Sequence, residues 1–230
     1  MHDVRLPRAV YDLALRLGAN PGLNRSIVQL QQVGRLRKGD AASWMSFTAR
    51  QTIGTRECAF DWRARAGPFR MISARDALKD GEGRFDVMAL GIIPLSRAAH
   101  SFALARGELM RYLAELPWAP DAILLNAHLR WHAVDPDTLA VSAGSGETAV
   151  EVTLTLDSEG RIAGAFAPDR PRSATPPLLL TPWTGRFGDY RHHQGFWLPF
   201  AGEVAWVVDG KETVYWQCRV EHWETSSRGL

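Results

Sequence analysis

A stripe of charged residues on one predicted helix is the first group in this sequence that could do chemistry. Glu108, Arg111 and Glu115 are spaced three and four residues apart, so they share one face of a helix. Two carboxylates flanking an arginine could hold a polar head group or act in acid–base chemistry. The alternative is a structural helix whose solvated ion pairs contribute little to stability.

A second group combines acidic, aromatic and imidazole side chains near the C-terminus. Asp189, Tyr190, His192 and His193 lie close together, and Glu203 follows on the next predicted strand. These residue types could form a metal site or a His/Asp base. Adjacent histidines on a strand point to opposite faces, however, so both cannot face one metal. A polar hairpin tip is the competing interpretation.

Two further patterns fall short of known motifs. His128 and His132 are four residues apart, but on the predicted strand they would be about 13 Å apart. Ser145 lies between glycines without the Gly-x-Ser-x-Gly pattern of a nucleophile elbow. No phosphate-binding or dinucleotide-binding loop is found. We therefore predict no metal and no cofactor, and we assign no catalytic residue.

Tryptophan is unusually frequent, with nine in 230 residues. Most lie where apolar and polar residues alternate, which is typical of half-buried strands. Around residue 62, for example, Phe60 and Trp62 alternate with Asp61 and Arg63. The tryptophans either fill a core or line a ligand cleft.

The pattern predicts an α+β fold with about eleven strands and two or three helices. Neighbouring strands are joined by short turns and must be antiparallel. A sheet of this length must curl or close. We expect a half-barrel with helices on its concave side, in one domain of 1–230. Its predicted segments are helical (1–25), a first β-meander (26–96), a central helical segment (100–126) and a second β-set (128–224), with a Pro-rich loop at 168–182.

Composition excludes some classes of protein. The formal net charge of +2 is too small to indicate a nucleic-acid partner. Lys38, Lys79 and Lys211 are the only lysines among 27 basic residues. The many arginines reflect either coding bias or bidentate binding of carboxylate or phosphate.

Location is predicted from the cysteines and from the N-terminal residues. Cys58 and Cys218 are predicted to be buried thiols in a reducing compartment, and a disulfide between them is the alternative. Asp3, Arg5 and Arg8 interrupt any apolar run. No uncharged run of about 18 apolar residues occurs elsewhere. These features predict a cytoplasmic protein without a transmembrane segment.

The most distinctive local motif is the stretch 107–115, GELMRYLAE, followed by Trp118-Ala119-Pro120 and Trp131. This motif resembles the central signature of a bacterial family of uncharacterised proteins, known only as a domain of unknown function. The similarity covers about residues 40 to 220, with flanking matches at Phe60-Asp61-Trp62, Asp76, Gly81, Gly83, Trp183-Thr184-Gly185, Tyr190, Gly195, Pro199 and Glu203-Val204-Ala205-Trp206. The family implies no established activity. Its members often carry N-terminal membrane segments, and none is expected here.

The order of strands and helices also resembles the lipoprotein-carrier fold, a curled antiparallel sheet that holds acyl chains around its helices. A cleft on the concave face is the expected binding site. We predict that it binds a hydrophobic or amphipathic, lipid-like small molecule, with an arginine near the mouth for an acidic end. The candidate ligand-binding residues are Trp62, Glu108, Arg111, Tyr112, Trp131, Trp183, Tyr190 and Trp206.

Two alternatives stay open. One is a hydrolase- or isomerase-type enzyme that uses Glu108 or the Asp189/His192/His193 cluster. The other is a structural or interaction protein with a solid core. The sequence leaves the oligomeric state undecided.

Overall fold

The structure is a computed structural model, and it describes residues 6–22, 25–37, 43–90, 92–98, 101–172 and 178–227. Within these residues the chain forms three α-helices and thirteen β-strands. The helices are α1 (Arg8–Arg16), α2 (Phe102–Ala114) and α3 (Pro120–Leu125). The first strands are β1 (Ile27–Leu36), β2 (Met45–Gly54), β3 (Phe60–Ala66), β4 (Ile72–Lys79), β5 (Glu82–Ala89) and β6 (Ile93–Ala98). The others, after the helices, are β7 (Arg130–Asp135), β8 (Thr138–Ala143), β9 (Val150–Leu156), β10 (Ile162–Pro171), β11 (Leu180–His193), β12 (Phe196–Val208) and β13 (Lys211–Ser226).

All of these strands belong to one antiparallel sheet. Its order is β6-β5-β4-β3-β2-β1-β13-β12-β11-β10-β9-β8-β7. The first strand therefore pairs with the last, with Ile27 opposite Ser226 and Leu36 opposite Trp216. The two edge strands, β6 and β7, are consecutive in the chain, and α2 and α3 connect them.

The sheet curls into a half-barrel around α2. This helix packs against β4 and β5 in one half of the sheet and against β8, β9 and β10 in the other. The hydroxyl of Ser101 caps its first turn by accepting a hydrogen bond from the Leu104 amide at 3.1 Å. Most α2 residues are buried because the helix is enclosed by both halves of the sheet.

Alternation on the strands produces the core. On β3, Phe60, Trp62 and Ala64 are buried, while Arg63 and Arg65 are exposed on the outer face. The largest side chains with almost no exposure are Trp118, Trp223, Tyr112, Phe60 and Phe196. They come from both helices and sheet, so the concave face and the helical segment share one core.

The predicted fold class is confirmed, but the predicted number of strands is too low. One strand with no counterpart in the prediction is β6, whose residues 93–97 are all exposed. An edge strand with little burial carries no clear alternation, so its pattern gives no signal. The Pro-rich loop predicted at 168–182 is also shorter, because β10 continues to Pro171 and β11 begins at Leu180. A β-bulge between Ala167 and Arg170 accommodates Pro168.

Candidate functional site

A cavity of about 260 Å³ lies between α2 and the concave face of the sheet. Strands β1 to β5 form one wall, and strands β10 to β13 form the opposite wall. Helix α2 contributes Arg111 and Ala114, and Glu115 follows directly after the helix. The lining is mainly aromatic and aliphatic and includes Met45, Trp62, Ile72, Trp183, Phe187 and Trp216.

The space exists because small residues face one another. Ala64 on β3 and Ala74 on β4 are cross-strand partners and both line the cavity. Ala66, next inward on β3, and Ala114 on α2 line it as well. Larger side chains at these positions would fill the gap between the helix and the sheet. The inward-facing positions of β3 and β4 thus carry small alanines, and larger tryptophan side chains line the cavity around them.

The cavity reaches one edge of the sheet. Leu36 is the last residue of β1, Met45 the first of β2, and Ile72 the first of β4. All three line the cavity and are half-buried. In an antiparallel sheet these strand ends lie at the same edge. We call this side of the sheet, where the β3–β4 turn also lies, the mouth edge.

A buried ion-pair cluster forms one side of the cavity. The Arg111 guanidinium donates to Asp76 Oδ2 at 2.5 Å and to Glu115 Oε1 at 2.8 Å. It also lies over the rings of Phe60 and Trp62, with distances of 4.7 and 5.4 Å to the ring centroids. Burial alone would lower the pKa of Arg111, but the negative charges of Glu115 and then Asp76 raise it above its ordinary value. Arg111 is therefore a fixed positive charge that already has counter-ions.

Glu108, one turn before Arg111 on α2, is a different kind of acid. Burial and then the negative charge of Asp76 raise its pKa well above the ordinary value, although Arg170 and Arg111 partly oppose this. Its Oε2 has no hydrogen-bond partner among the described residues. Glu108 therefore stays protonated at pH values where an ordinary carboxyl group is ionised, and it supplies no counter-ion to its neighbours.

Arg170 on β10 lacks the counter-ions that Arg111 has. Its side chain donates to the Gly107 carbonyl at 3.2 Å and to the Tyr215 hydroxyl at 3.4 Å. Its guanidinium lies 4.5 Å from the Trp183 ring centroid and 5.7 Å from that of Trp206. Arg170 is only 8% exposed and lines the cavity. Within the described part of the chain it forms no ion pair.

Hydrogen bonds hold the aromatic walls in place. The Trp62 indole N–H donates to Gln32 Oε1 at 3.0 Å, and the Trp183 indole N–H donates to the Tyr215 hydroxyl at 3.0 Å. Tyr215 therefore orients both Trp183 and Arg170. Buried tryptophans need such partners for their N–H groups.

The structure brings some of the predicted site residues together and separates others. Trp62, Arg111 and Trp183 line the cavity. Glu108 and Trp206 do not line the cavity. Both are neighbours of the cavity-lining Arg170: Glu108 through its electrostatic interaction with the guanidinium, and Trp206 through its ring.

The other three predicted residues lie elsewhere. The Tyr112 hydroxyl donates to the Gly54 carbonyl at 2.9 Å inside the core. Trp131 is buried on β7, and the Tyr190 hydroxyl donates to the Ile162 carbonyl at 2.7 Å. None of these three lines the cavity.

The polar cluster near residue 190 is a hairpin, as one of the two interpretations expected. Asp189 pairs with Arg191 at 2.5 Å, and His192 packs edge-on against Trp197. His193 instead bonds the Trp223 carbonyl at 3.1 Å. In the described residues no three His, Cys, Asp or Glu side chains are grouped as metal ligands would be. The two cysteines, Cys58 and Cys218, are free thiols.

Sequence reasoning missed three residues that shape the site. The sequence marks Asp76 only as a flanking match to the family motif and gives no signal for Tyr215. Arg170 fell in the predicted loop, and simple alternation from Ala165 and Ala167 would turn it outward. The β-bulge after Ala167 reverses this phase and points Arg170 into the core. The only available signal was the proline at 168.

Three solved structures share the fold. A LolA superfamily protein from Nitrosomonas europaea is 13% identical, with a TM-score of 0.51 over 96% of this chain and 93% of that chain. A Vibrio parahaemolyticus domain described as an outer membrane lipoprotein-sorting protein is 9% identical, with a TM-score of 0.50 over 87% and 85%. A DUF1329 family protein from Desulfovibrio piger is 11% identical, with a TM-score of 0.52 over 94% and 92%. Comparison with curated proteins gave no match. The predicted likeness to the lipoprotein-carrier half-barrel is confirmed as a likeness of fold.

This comparison corrects the predicted location. The cytoplasmic assignment is wrong: the proteins that share the fold include a LolA superfamily protein and a domain described as an outer membrane lipoprotein-sorting protein. The assignment relied on charged residues near the N-terminus and on free thiols, and neither feature decides the compartment. Among the described residues no helix is long and apolar enough to span a membrane.

A family model also matches the chain. It is that of DUF6544, described as a family of unknown function, and the match spans residues 4–218. The predicted resemblance to a domain of unknown function is thereby confirmed.

Proposed function

We propose that this chain, which belongs to the DUF6544 family, binds an amphipathic small molecule whose apolar part occupies the cavity and whose acidic group pairs with Arg170. The observation that carries the proposal is the position of Arg170. It is a buried guanidinium that forms no ion pair with any described residue, at the wall of a cavity lined mainly by aromatic and aliphatic side chains.

The cavity has a suitable size for one apolar chain. Its volume of about 260 Å³ exceeds the roughly 150 Å³ of an engineered cavity that binds benzene. Since a water molecule takes about 30 Å³ of the liquid, the space holds roughly nine groups of that size. A single acyl chain of moderate length fits this space better than a lipid with several chains.

Electrostatics favour an acidic group on the ligand. A buried charge is stable only when it is paired and hydrogen-bonded. Arg111 has Asp76 and Glu115 as partners, whereas the neighbour of Arg170 is Glu108, whose burial raises its pKa and favours its neutral form. A carboxylate or phosphate would supply the missing charge and match the planar guanidinium.

The shared fold supports the same class of ligand. One of the structural neighbours is described as an outer membrane lipoprotein-sorting protein domain. We therefore infer a binding or carrier protein for a molecule with an acyl chain, acting outside the cytoplasm.

The test is displacement of a fluorescent long-chain fatty acid from the purified, delipidated protein. We expect an unlabelled fatty acid to displace the probe more strongly than the fatty alcohol of equal length. Arg170→Gln should weaken fatty-acid binding by about 10- to 100-fold, because a hydrogen bond to a charged group contributes about 1.5–3 kcal/mol. Binding of the alcohol should change much less.

Arg161→Gln is the matched control. Arg161 also lies over aromatic rings, those of Tyr190 and Trp197, but it pairs with Asp157 and lies away from the cavity. This variant should bind the fatty acid like the wild type. The proposal is refuted if the wild type does not bind the probe. It is also refuted if Arg170→Gln weakens binding of the fatty acid and of the fatty alcohol equally. A solid-core interaction protein predicts the first of these results.

A further inference from the structure

Two adjacent turns at the mouth edge expose large apolar side chains. In the β3–β4 turn Phe69 is 94% exposed, and Met71 beside it is exposed as well. In the β5–β6 turn Ile92 is 77% exposed, and Leu90 is also exposed. The Leu90 amide donates to the Met71 carbonyl at 2.7 Å, so the two turns form one surface. We call Phe69, Met71, Leu90 and Ile92 the apolar tip.

The backbone of these turns is strained. Phe69, Arg70 and Leu90 have φ values of 51°, 56° and 53°, in the left-handed region that favours glycine or asparagine. Bulky residues are held there only when the surrounding structure enforces it, and such sites are often functional. Here the strain accompanies the display of apolar side chains to solvent.

A row of arginines lies on the outer face of the same strands. Arg50, Arg63 and Arg75 are direct cross-strand partners on β2, β3 and β4. Like charges placed opposite one another destabilise a sheet. Asp61 pairs with Arg63 and Arg75, at 2.9 and 2.7 Å, but Arg50 forms no ion pair within the described residues. We call Arg50, Arg63 and Arg75 the arginine row.

The arginine row and the apolar tip are continuous. Arg70 immediately follows Phe69 and lines the same outer groove as the arginine row. Met88, two residues before Leu90 in the chain, lines this groove too. This groove is lined by six arginines and by two acidic residues, Asp86 and Glu221. The molecule therefore presents apolar side chains beside an excess of positive charge.

We propose that the apolar tip and the arginine row dock on the surface of an anionic phospholipid bilayer. Apolar side chains enter the boundary between head groups and acyl chains, and arginines are attracted to anionic head groups. Ala66 and Ile72 flank the β3–β4 turn and line the cavity, so docking brings the mouth edge to the membrane. This proposal goes beyond ligand binding, since the surface lies outside the cavity.

The test is co-sedimentation with vesicles, either of phosphatidylcholine alone or of equal parts phosphatidylcholine and phosphatidylglycerol. We expect binding to the mixed vesicles and much weaker binding to the neutral ones. Phe69→Asn should lower the partition coefficient roughly tenfold through loss of apolar burial. Asparagine tolerates a positive φ, so this variant should keep the fold. Arg50→Gln should lower binding to mixed vesicles roughly fivefold and leave binding to neutral vesicles unchanged.

Two controls lie away from this surface. Val134→Ser removes another exposed apolar side chain, and Arg56→Gln removes an exposed arginine from the β2–β3 connection. Both should bind mixed vesicles like the wild type. All variants are also tested for displacement of the fatty-acid probe without vesicles, so failure at the membrane is distinguishable from failure of the cavity.

Three results would overturn the proposal. One is no binding of the wild type to either vesicle. Another is that the control variants lower binding to the mixed vesicles as much as Phe69→Asn and Arg50→Gln do. The third is a dimer, detected by light scattering, that Phe69→Asn dissociates while vesicle binding is absent; a second copy of the chain would then be the partner.

Discussion

Filling the cavity with Ala74→Leu should stabilise the ligand-free protein. Ala74 points from β4 into the cavity, opposite Ala64, so a larger side chain meets space rather than packed atoms. Leucine adds three carbons, and their burial contributes about 2.4 kcal/mol at about 0.8 kcal/mol each. Ordering the leucine side chain costs about 0.5–1 kcal/mol. The expected net gain is about 1.5 kcal/mol.

The gain should appear in thermal unfolding of delipidated protein. A change of 1 kcal/mol shifts the melting temperature by about 2–4 °C in a chain of this size, so we expect an increase of about 3–6 °C. Delipidation matters because a bound ligand would stabilise the wild type by mass action and hide the difference. The same substitution should weaken binding of the fatty-acid probe, since it occupies the space of the chain.

Ala143→Leu is the matched control for this experiment. Ala143 on β8 is fully buried but does not line the cavity. Extra carbons in a packed core destabilise by about 1–3 kcal/mol. The reasoning fails if Ala74→Leu destabilises the protein as Ala143→Leu does, because the site would then contain no usable space.

Three more predictions concern polar groups that are buried or partly buried. The folded-state pKa of Glu108 is raised above its unfolded value, so its stabilising effect is complete below the unfolded pKa and is lost as pH rises through the folded pKa. In urea unfolding, Glu108→Gln should therefore gain stability over the wild type as pH rises; a pH-independent difference would contradict this. Tyr112→Phe removes the hydrogen bonds of the Tyr112 hydroxyl to Gly54 and Asn126, both 2.9 Å long. It should lower the free energy of unfolding by about 1–3 kcal/mol in the same assay. An unchanged free energy of unfolding would mean that these hydrogen bonds are not buried. Burial raises the pKa of Cys58 to about 11, so native protein at neutral pH should react with iodoacetamide far more slowly than unfolded protein, and equal rates would refute this.

The strands were predictable because burial on one face leaves a direct record in the sequence. The pattern of Phe60, Trp62 and Ala64 needs no knowledge of the partner strands to indicate a sheet. β6 left no such record because solvent covers it on both faces. The helix predicted around 102–116 was recognisable because its apolar residues recur every three or four positions, whereas those of the strands recur every two.

The candidate site was only partly predictable. Trp62 and Trp183 lie on inward faces that alternation identifies, and Arg111 lies on a helix face that spacing identifies. The approach of Asp76 to Arg111 depends on how far the sheet curls, which no local pattern encodes. The inward turn of Arg170 depends on a one-residue bulge, and a shift of one residue exchanges the two faces of a strand.

The pairing of β1 with β13 has a consequence for biosynthesis. These strands lie side by side at the centre of the sheet, although the rest of the sheet separates them along the chain. While the ribosome makes β2 to β12, one side of β1 stays open to water and to other strands. Unpaired edges of this kind promote aggregation, and contacts between distant segments form slowly. Protection of the nascent chain by a chaperone until β13 emerges should therefore raise the yield of folded protein.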